Sequence, residues 1–266
     1  MGCHERIDRA LDAALYLPLH AHSRYVILSD CHRGEGTAND NFLKNEHLYL
    51  AALSYYLKRG FCYLELGDGE ELWENRSMER IIRYHGEVYG LLDCFKKSGR
   101  LVQLYGNHDM QLRAERFAAV VLENQEGGRN ICMVHGHQAD FFNSVCWRLA
   151  RFLVRYLWKP MENLGVNDPT SAARNYKKAV RYEKCLEEWT RKHDVYLVAG
   201  HSHRPRLPED GTSYYLNAGS CVHPGGITAI EIETMKATLV KWKVVTRSDL
   251  SLSVAREALA GPILIQ

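Results

Sequence analysis

The chain has 266 residues, 46% of them hydrophobic and 25% charged, with a formal net charge of +2. These proportions are those of an ordinary globular protein, and the length suits one large domain carrying an insertion. They exclude the strongly basic balance of a dedicated nucleic-acid binder, and no uncharged apolar run approaches the length of a membrane span.

Residues 1–20 mix Arg6, Asp8, Arg9 and Asp12 with short apolar stretches, which is not the pattern of a secretory leader. Met1-Gly2-Cys3 begins like an acylation signal, but Arg6 stands where such a signal needs Ser or Thr. Tyr25–Ser29 predicts a buried strand, and residues 40–59 a helix closed by Gly60. Phe61–Leu66 predicts a second strand, residues 72–97 one or two helices, Leu101–Tyr105 a third strand, and residues 109–118 a further helix. Strand signals return at Val120-Val121-Leu122 and Asn130–Val134. Residues 139–192 then carry helical periodicity, broken at Lys159-Pro160 and at Asn167-Asp168-Pro169, which predicts two or three helices inserted between strands. Val195–Ala199, Tyr214–Leu216, Ile227–Ile232 and Ala237–Val244 predict strands, and the tail 245–266 is weakly patterned. Alternating strands and helices followed by strands alone imply α/β layers with mixed sheets, here one domain over 1–266 with a helical insertion at about 139–192. The eight cysteines are scattered without a CxxC pair, and several lie in apolar runs. That usage is expected of reduced thiols in a cytoplasmic protein.

Five polar segments stand at the ends of predicted strands, where loops project side chains from a rigid sheet. Ser29-Asp30-Cys31-His32 offers a carboxylate and an imidazole two residues apart, with Cys31 expected to face the core. Gly67-Asp68-Gly69 sets a carboxylate between glycines, and a carboxylate can bridge two cations. Gly106-Asn107-His108-Asp109 adds a neutral oxygen donor and a histidine that an acidic neighbour could orient. Val134-His135-Gly136-His137 and Gly200-His201-Ser202-His203 place imidazoles directly after apolar runs. Each segment has a bland reading as a turn or helix cap. Together they suit two divalent ions of borderline hardness better than calcium or a soft metal.

As a set, Asp30-x-His32, Gly67-Asp68-x-x, Gly106-Asn107-His108-Asp109, His135 and Gly200-His201-x-His203 resemble the calcineurin-like metallophosphoesterase superfamily over about residues 24–232. The resemblance implies two facing mixed β-sheets flanked by helices, a four-layer sandwich with the site at the strand ends. It assigns Asp30, His32 and His203 to one metal, Asn107, His135 and His201 to the other, and Asp68 to the bridge between them. His108 becomes the catalytic residue with Asp109 as its orienting partner, and His137 falls outside the ligand set. Two divalent transition ions are implied, Mn²⁺ foremost, with Fe, Zn or Co as alternatives. A hydroxide shared by two such ions would attack phosphorus in a phosphate ester or anhydride.

The insertion carries the clue to substrate. Arg148, Arg151, Arg155 and Lys159 recur at helical spacing, as do Arg174, Lys177, Lys178, Arg181 and Lys184. Trp147, Leu149, Phe152, Leu153, Leu157 and Trp158 supply an apolar surface beside them. Read as solvated faces these are ordinary surface helices; read as a lid they offer cations for phosphate and an apolar wall for a lipid. A helical cap after the His-Gly motif, together with Gly67-Asp68-Gly69-Glu70-Glu71-Leu72-Trp73, resembles the UDP-2,3-diacylglucosamine diphosphatase branch. That branch typically has Arg where this chain has His108. The expected substrate is a phosphorylated small molecule or lipid-linked diphosphate, with peripheral membrane contact through the cap. The alternatives are a phosphodiesterase or nuclease, a protein Ser/Thr phosphatase, and a non-catalytic binding module on the same fold; low net charge argues against nucleic acid.

Overall fold

The computed structural model describes residues 2–37, 39–158, 176–209 and 213–266, with side chains at 157, 158 and 176–179 left aside. Two mixed β-sheets face one another, and helices cover both outer surfaces. A short helix α1 (Cys3–Leu11) precedes β1 (Leu15–Leu19) and β2 (Arg24–Leu28). Helix α2 (Glu46–Lys58) leads to β3 (Cys62–Glu65), and α3 (Met78–Tyr84) and α4 (Gly86–Lys97) lead to β4 (Leu101–Gln103). Strands β5 (Ala119–Asn124) and β6 (Ile131–Val134) follow. Then come the helices α5 (Phe141–Val145) and α6 (Trp147–Leu153), a π-helical turn over Val154–Trp158, and the long α7 (Tyr176–His193). Strands β7 (Tyr196–Ala199), β8 (Tyr215–Asn217), β9 (Ile227–Glu233), β10 (Lys236–Thr246) and β11 (Leu252–Leu264) complete the chain.

The first sheet runs β1-β5-β6-β7-β8 and the second β11-β10-β9-β2-β3-β4. Strands β2, β3 and β4 are mutually parallel, as are β6, β7 and β8, so their C-terminal ends open on one edge of each sheet. The alternation of side chains explains why these strands read as unbroken apolar runs. In β2, Tyr25 and Ile27 join the core between the sheets with Leu64, Val120, Met133, Val198 and Ile230. Val26 and Leu28 point the other way, under Leu48, Tyr49, Ala52 and Leu53 of α2 and Val88 and Leu92 of α4. On the far side, Ile7 of α1 and Leu186 and Trp189 of α7 cover Val121, Val134, Leu197 and Tyr215. Strands β2, β6 and β7 are therefore apolar on both faces, and their C-terminal ends are where polar residues appear.

Several sequence expectations are corrected. The helix expected over residues 109–118 is a 3₁₀ turn at Met110–Leu112, after which Phe117 bridges to Leu104. The weakly patterned tail contains β11, an edge strand exposed along much of both faces, so burial imposes no apolar alternation on it. Residues 1–20, to which the sequence assigned no element, include α1 and β1. Cys3 and Cys185 form a disulfide between α1 and α7, although they are 182 residues apart, so the reading of all eight cysteines as reduced fails for this pair. Cys31 is buried in the core cluster under α2. No described helix is long and apolar enough to cross a membrane.

Candidate metal centre

The open edges of the two sheets bring the five polar segments together. Strands β2, β3 and β4 end in the loops carrying Asp30 and His32, Asp68, and Asn107 and His108; β6 and β7 end in those carrying His135 and His201 with His203. The first two loops run side by side, with Asp30 N donating to Gly67 O at 3.2 Å and His32 N to Asp68 O at 2.8 Å. Asp30, His32, Asp68, His201 and His203 all have left-handed backbone, with φ between 49° and 64°. This conformation costs a non-glycine residue of order 1–3 kcal/mol, and its clustering at one point is a signature of function. Glycine is demanded beside them: a Cβ at Gly106 would lie 2.1 Å from Asp68 Oδ1, and one at Gly200 would lie 2.4 Å from Asp30 Oδ2.

Two groups of donors face one space. Asp30, His32 and His203 form one, and Asp68, His135 and His201 the other; within each, the ligand atoms lie within 4.8 Å of one another. His203 Nε2 is 3.0 Å from Asp30 Oδ1, and His135 Nε2 is 3.2 Å from Asp68 Oδ2. Asp68 Oδ2 stands between the groups, 3.8 Å from His32 Nε2. Asn107 Oδ1 lies 3.2 Å from His135 Nε2. Asp30 Oδ1, His32 Nε2 and His201 Nε2 are buried without hydrogen-bond partners. Buried polar atoms are rarely left so, and an ion among them is what this donor set fits.

The far nitrogens are fixed. His135 Nδ1 is 2.8 Å from Leu66 O, and His32 Nδ1 is 2.8 Å from Glu71 Oε2, which leaves each Nε2 turned to the centre. His32, Glu71 and His108 also form a compact group, but the Nδ1 atoms of both histidines are hydrogen-bonded to Glu71, so this is an orienting triad and not a further ion site.

The charges follow from this packing. Burial disfavours ionised Asp68, but His135 and His108 outweigh it and hold the carboxyl well below its usual range. Burial likewise opposes protonated His135, and Asp68 and Asp30 overcome it, lifting the imidazole to about 9. His201, desolvated and next to His135, falls to about 4. The buried carboxylates thus demand compensating positive charge at this point.

Asp109 does not orient His108. Its oxygens accept from Gly106 N at 2.6 Å, Gly69 N at 3.0 Å and Arg116 Nη1 at 2.5 Å, so it ties two strand-end loops together. Glu71 takes the expected role: its Oε1 is 2.8 Å from His108 Nδ1. Trp73 stacks on the same imidazole with centroids 4.3 Å apart. Both residues lie in the quoted Gly67–Trp73 segment, yet the contact spans 37 positions, and acidic adjacency pointed to Asp109 instead. His137 is buried beside His135, its ring centroid 5.4 Å away, and outside both donor groups.

Of the cap cations expected to meet substrate, Arg155 is otherwise engaged, donating to the carbonyls of Leu72, Trp73 and Asn75 at 2.7, 2.8 and 3.1 Å. Arg148 and Arg151 lie over the Trp147 ring, and Arg181 is exposed on α7. Lys159 and Arg174 lie outside the described residues, as do the side chains of Lys177 and Lys178. The cap is rooted from the opposite side: Arg6 Nε of α1 donates to Gln138 O at 2.6 Å, and Tyr182 OH of α7 donates to Asp140 at 2.9 Å.

No protein-family model and no curated protein matches the chain. Among solved structures it is similar to Vps29 from Chaetomium thermophilum, at 15% identity and a TM-score of 0.46 over 89% of this chain and 95% of that one. It is also similar to Vacuolar Protein Sorting 29 from Cryptosporidium parvum, at 15% identity and a TM-score of 0.43 over 91% of this chain and 100% of that one.

Proposed function

We propose that the chain is a phosphohydrolase dependent on two divalent transition ions, with Mn²⁺ foremost, acting on a phosphate ester or anhydride. The observation that carries this reading is that Asp30 Oδ1, His32 Nε2 and His201 Nε2 are buried without hydrogen bonds at the meeting point of a cluster of carboxylates and imidazoles. Asp30, His32 and His203 would hold one ion, Asn107, His135 and His201 the other, and Asp68 both. Such a pair supplies positive charge for phosphoryl oxygens and lowers the pKa of a water molecule towards neutrality.

The remaining chemistry belongs to the chain. Glu71 and Trp73 fix the edge and face of His108, leaving its Nε2 as the outward nitrogen. Burial opposes the proton on this imidazole, but the charges of Glu71 and Asp68 more than offset it and raise its pKa. This favours the protonated form of His108, the form that could donate to the leaving oxygen, a contribution of about 10²–10⁴-fold in comparable sites.

For the substrate, the cap supports a lipid-linked diphosphate. Phe141, Val145, Leu149, Phe152 and Tyr156, on α5, α6 and the π turn, are each more than half exposed, and Phe152 packs against Tyr156 with ring centroids 4.9 Å apart, which gives the cap an exposed apolar ridge. Arg148 and Arg151 flank it. This surface matches an acyl chain beside a phosphate. The cytoplasmic location and peripheral membrane contact belong to the same proposal.

The test is activity of the Mn²⁺-loaded protein on an aryl phosphate, a bis-aryl phosphate, a nucleotide-diphosphate lipid and single-stranded DNA. Metal-dependent cleavage that is strongest on the lipid anhydride is expected. Diester cleavage alone would shift the substrate class towards a nuclease. No cleavage with Mn²⁺, Fe²⁺, Zn²⁺ or Co²⁺ would defeat the assignment.

A further inference from the structure

We propose that Arg155 is a positioning residue through which the inserted cap sets the orientation of His108, an inference that rests on His108 being the proton donor. The π-helical turn Val154–Trp158 carries it. Such a turn inserts an extra residue per turn into a helix and recurs at functional positions. Here it delivers the guanidinium to three carbonyls of one short segment, those of Leu72, Trp73 and Asn75. The planar fork of arginine can meet several acceptors at once, which a lysine ammonium on a flexible stem does not reproduce. The next residue makes a second contact on the same side, with Tyr156 OH accepting from Arg76 Nη2 at 3.2 Å.

The segment so held is the one that orients His108. Glu71 Oε1 meets His108 Nδ1 at 2.8 Å and accepts from Trp73 N at 3.2 Å, and the Trp73 indole lies nearly parallel to the imidazole, 22° from it. Glu71 Oε2 meets His32 Nδ1, so the same turn also touches a proposed ion ligand. Carbonyl, indole and imidazole form one chain of contact from cap to site. Loss of Arg155 frees the carbonyls of Trp73 and Asn75 and leaves that of Leu72 only a longer bond, 3.3 Å, from Gln111 Nε2. The inner side of that turn then loses the restraint that keeps Trp73 over His108.

The experiment compares Arg155→Ala and Arg155→Lys, each alone and combined with His108→Ala, in Mn²⁺-loaded protein. Its substrates are an alkyl phosphate, whose leaving oxygen needs a proton, and 4-nitrophenyl phosphate, whose leaving group does not. Arg155→Ala is expected to lower kcat on the alkyl ester by about 10–100-fold, the range for removing an orienting contact, with KM little changed and a smaller loss on the nitrophenyl ester. In the His108→Ala background it should cost nothing further. In metal-free protein, amide hydrogen exchange over residues 71–76 should quicken in Arg155→Ala and stay unchanged in the surface control Arg83→Ala. Unaltered exchange, a full additional loss on top of His108→Ala, a rise confined to KM, or complete rescue by lysine would each overturn the proposal. If wild type hydrolyses neither ester, the phosphohydrolase reading falls, while the exchange measurement still decides whether Arg155 holds the turn.

Discussion

The strand-end centre and the inserted cap are neighbours built on opposite principles. At the centre, Asp30, Asp68, Asn107 and His135 are all but fully buried, the backbones of Asp30 and Asp68 are left-handed, and Asp30 Oδ2, Asp68 Oδ1 and His135 Nδ1 are hydrogen-bonded. Asp30, Asp68 and His135 are each held by a hydrogen bond to the backbone of a neighbouring strand-end loop, so they are positioned before anything binds. The cap has the reverse character, with an apolar ridge open to solvent and a few polar struts at its margins, Arg155 on one side and Arg6 and Tyr182 on the other. Under the proposed function the difference implies separate tasks: the buried centre would carry the reaction, and the open cap would choose the substrate. Changes at the centre should therefore abolish all substrates alike, whereas changes on the cap should distinguish among them.

The harshest test is Asp68→Ala. This carboxylate stands between the two donor groups and accepts from His108 N at 2.7 Å, so its loss would disturb both proposed ion sites and the loop carrying His108. Turnover should fall by more than the roughly 10³-fold typical of losing one electrostatic stabiliser. Metal analysis of the purified variant should find fewer than two equivalents. Retention of both ions with unimpaired turnover would remove the bridging role and, with it, the separation of centre from cap.

A subtler test uses protons. Without metal, Asp68 and Asp30 hold the proton on His135 up to about 9, and the neighbouring carboxylates also raise His32 well above its usual value, whereas His201 is neutral above about 4. A ligating imidazole must be neutral, so metal uptake at pH 7 must expel the protons of His135 and His32 but none from His201. Calorimetry in buffers of different ionisation enthalpy should report net proton release, and apparent affinity should climb as pH rises towards about 9, where His135 gives up its proton. Binding without proton release would mean that the ions enter elsewhere.

What could be read from the amino-acid order tracks this same division. The clustering of the candidate ligands was legible because each polar residue interrupts an apolar run at a strand end, a local signal carried by Asp30, Asp68 and His135 alike. Pairings across space were not. Asp109 was the obvious partner for His108 by adjacency, but its charge is spent on two backbone amides and Arg116, and Glu71 reaches the histidine through a loop contact. The helix expected at 109–118 fails for a related reason, since Asp109 and Arg116 bind the loops beside them and Phe117 joins the sheet margin. Arg155 fell on a cationic stripe only under an ideal helical period, and the π turn breaks that period at this point. The Cys3–Cys185 bond lies beyond any local pattern.

The mildest test acts on the ridge alone. Leu149 and Phe152 are 54% and 57% exposed, so about half of each side chain remains to be buried by a ligand. Full burial of such a side chain is worth about 1.5–3 kcal/mol, which leaves about 1 kcal/mol for each here. Replacing both with Glu should therefore raise KM for a nucleotide-diphosphate lipid by about 30-fold, the equivalent of 2 kcal/mol. Exposed positions away from packed contacts change stability by no more than about 0.5 kcal/mol, so the melting temperature should hold. Hydrolysis of a small aryl phosphate should be untouched, because nothing in it reaches the ridge. An equal loss on both substrates would mean that the ridge supports the centre instead of selecting for it, and a lipid substrate unaffected by the double change would leave the exposed apolar face to some other partner.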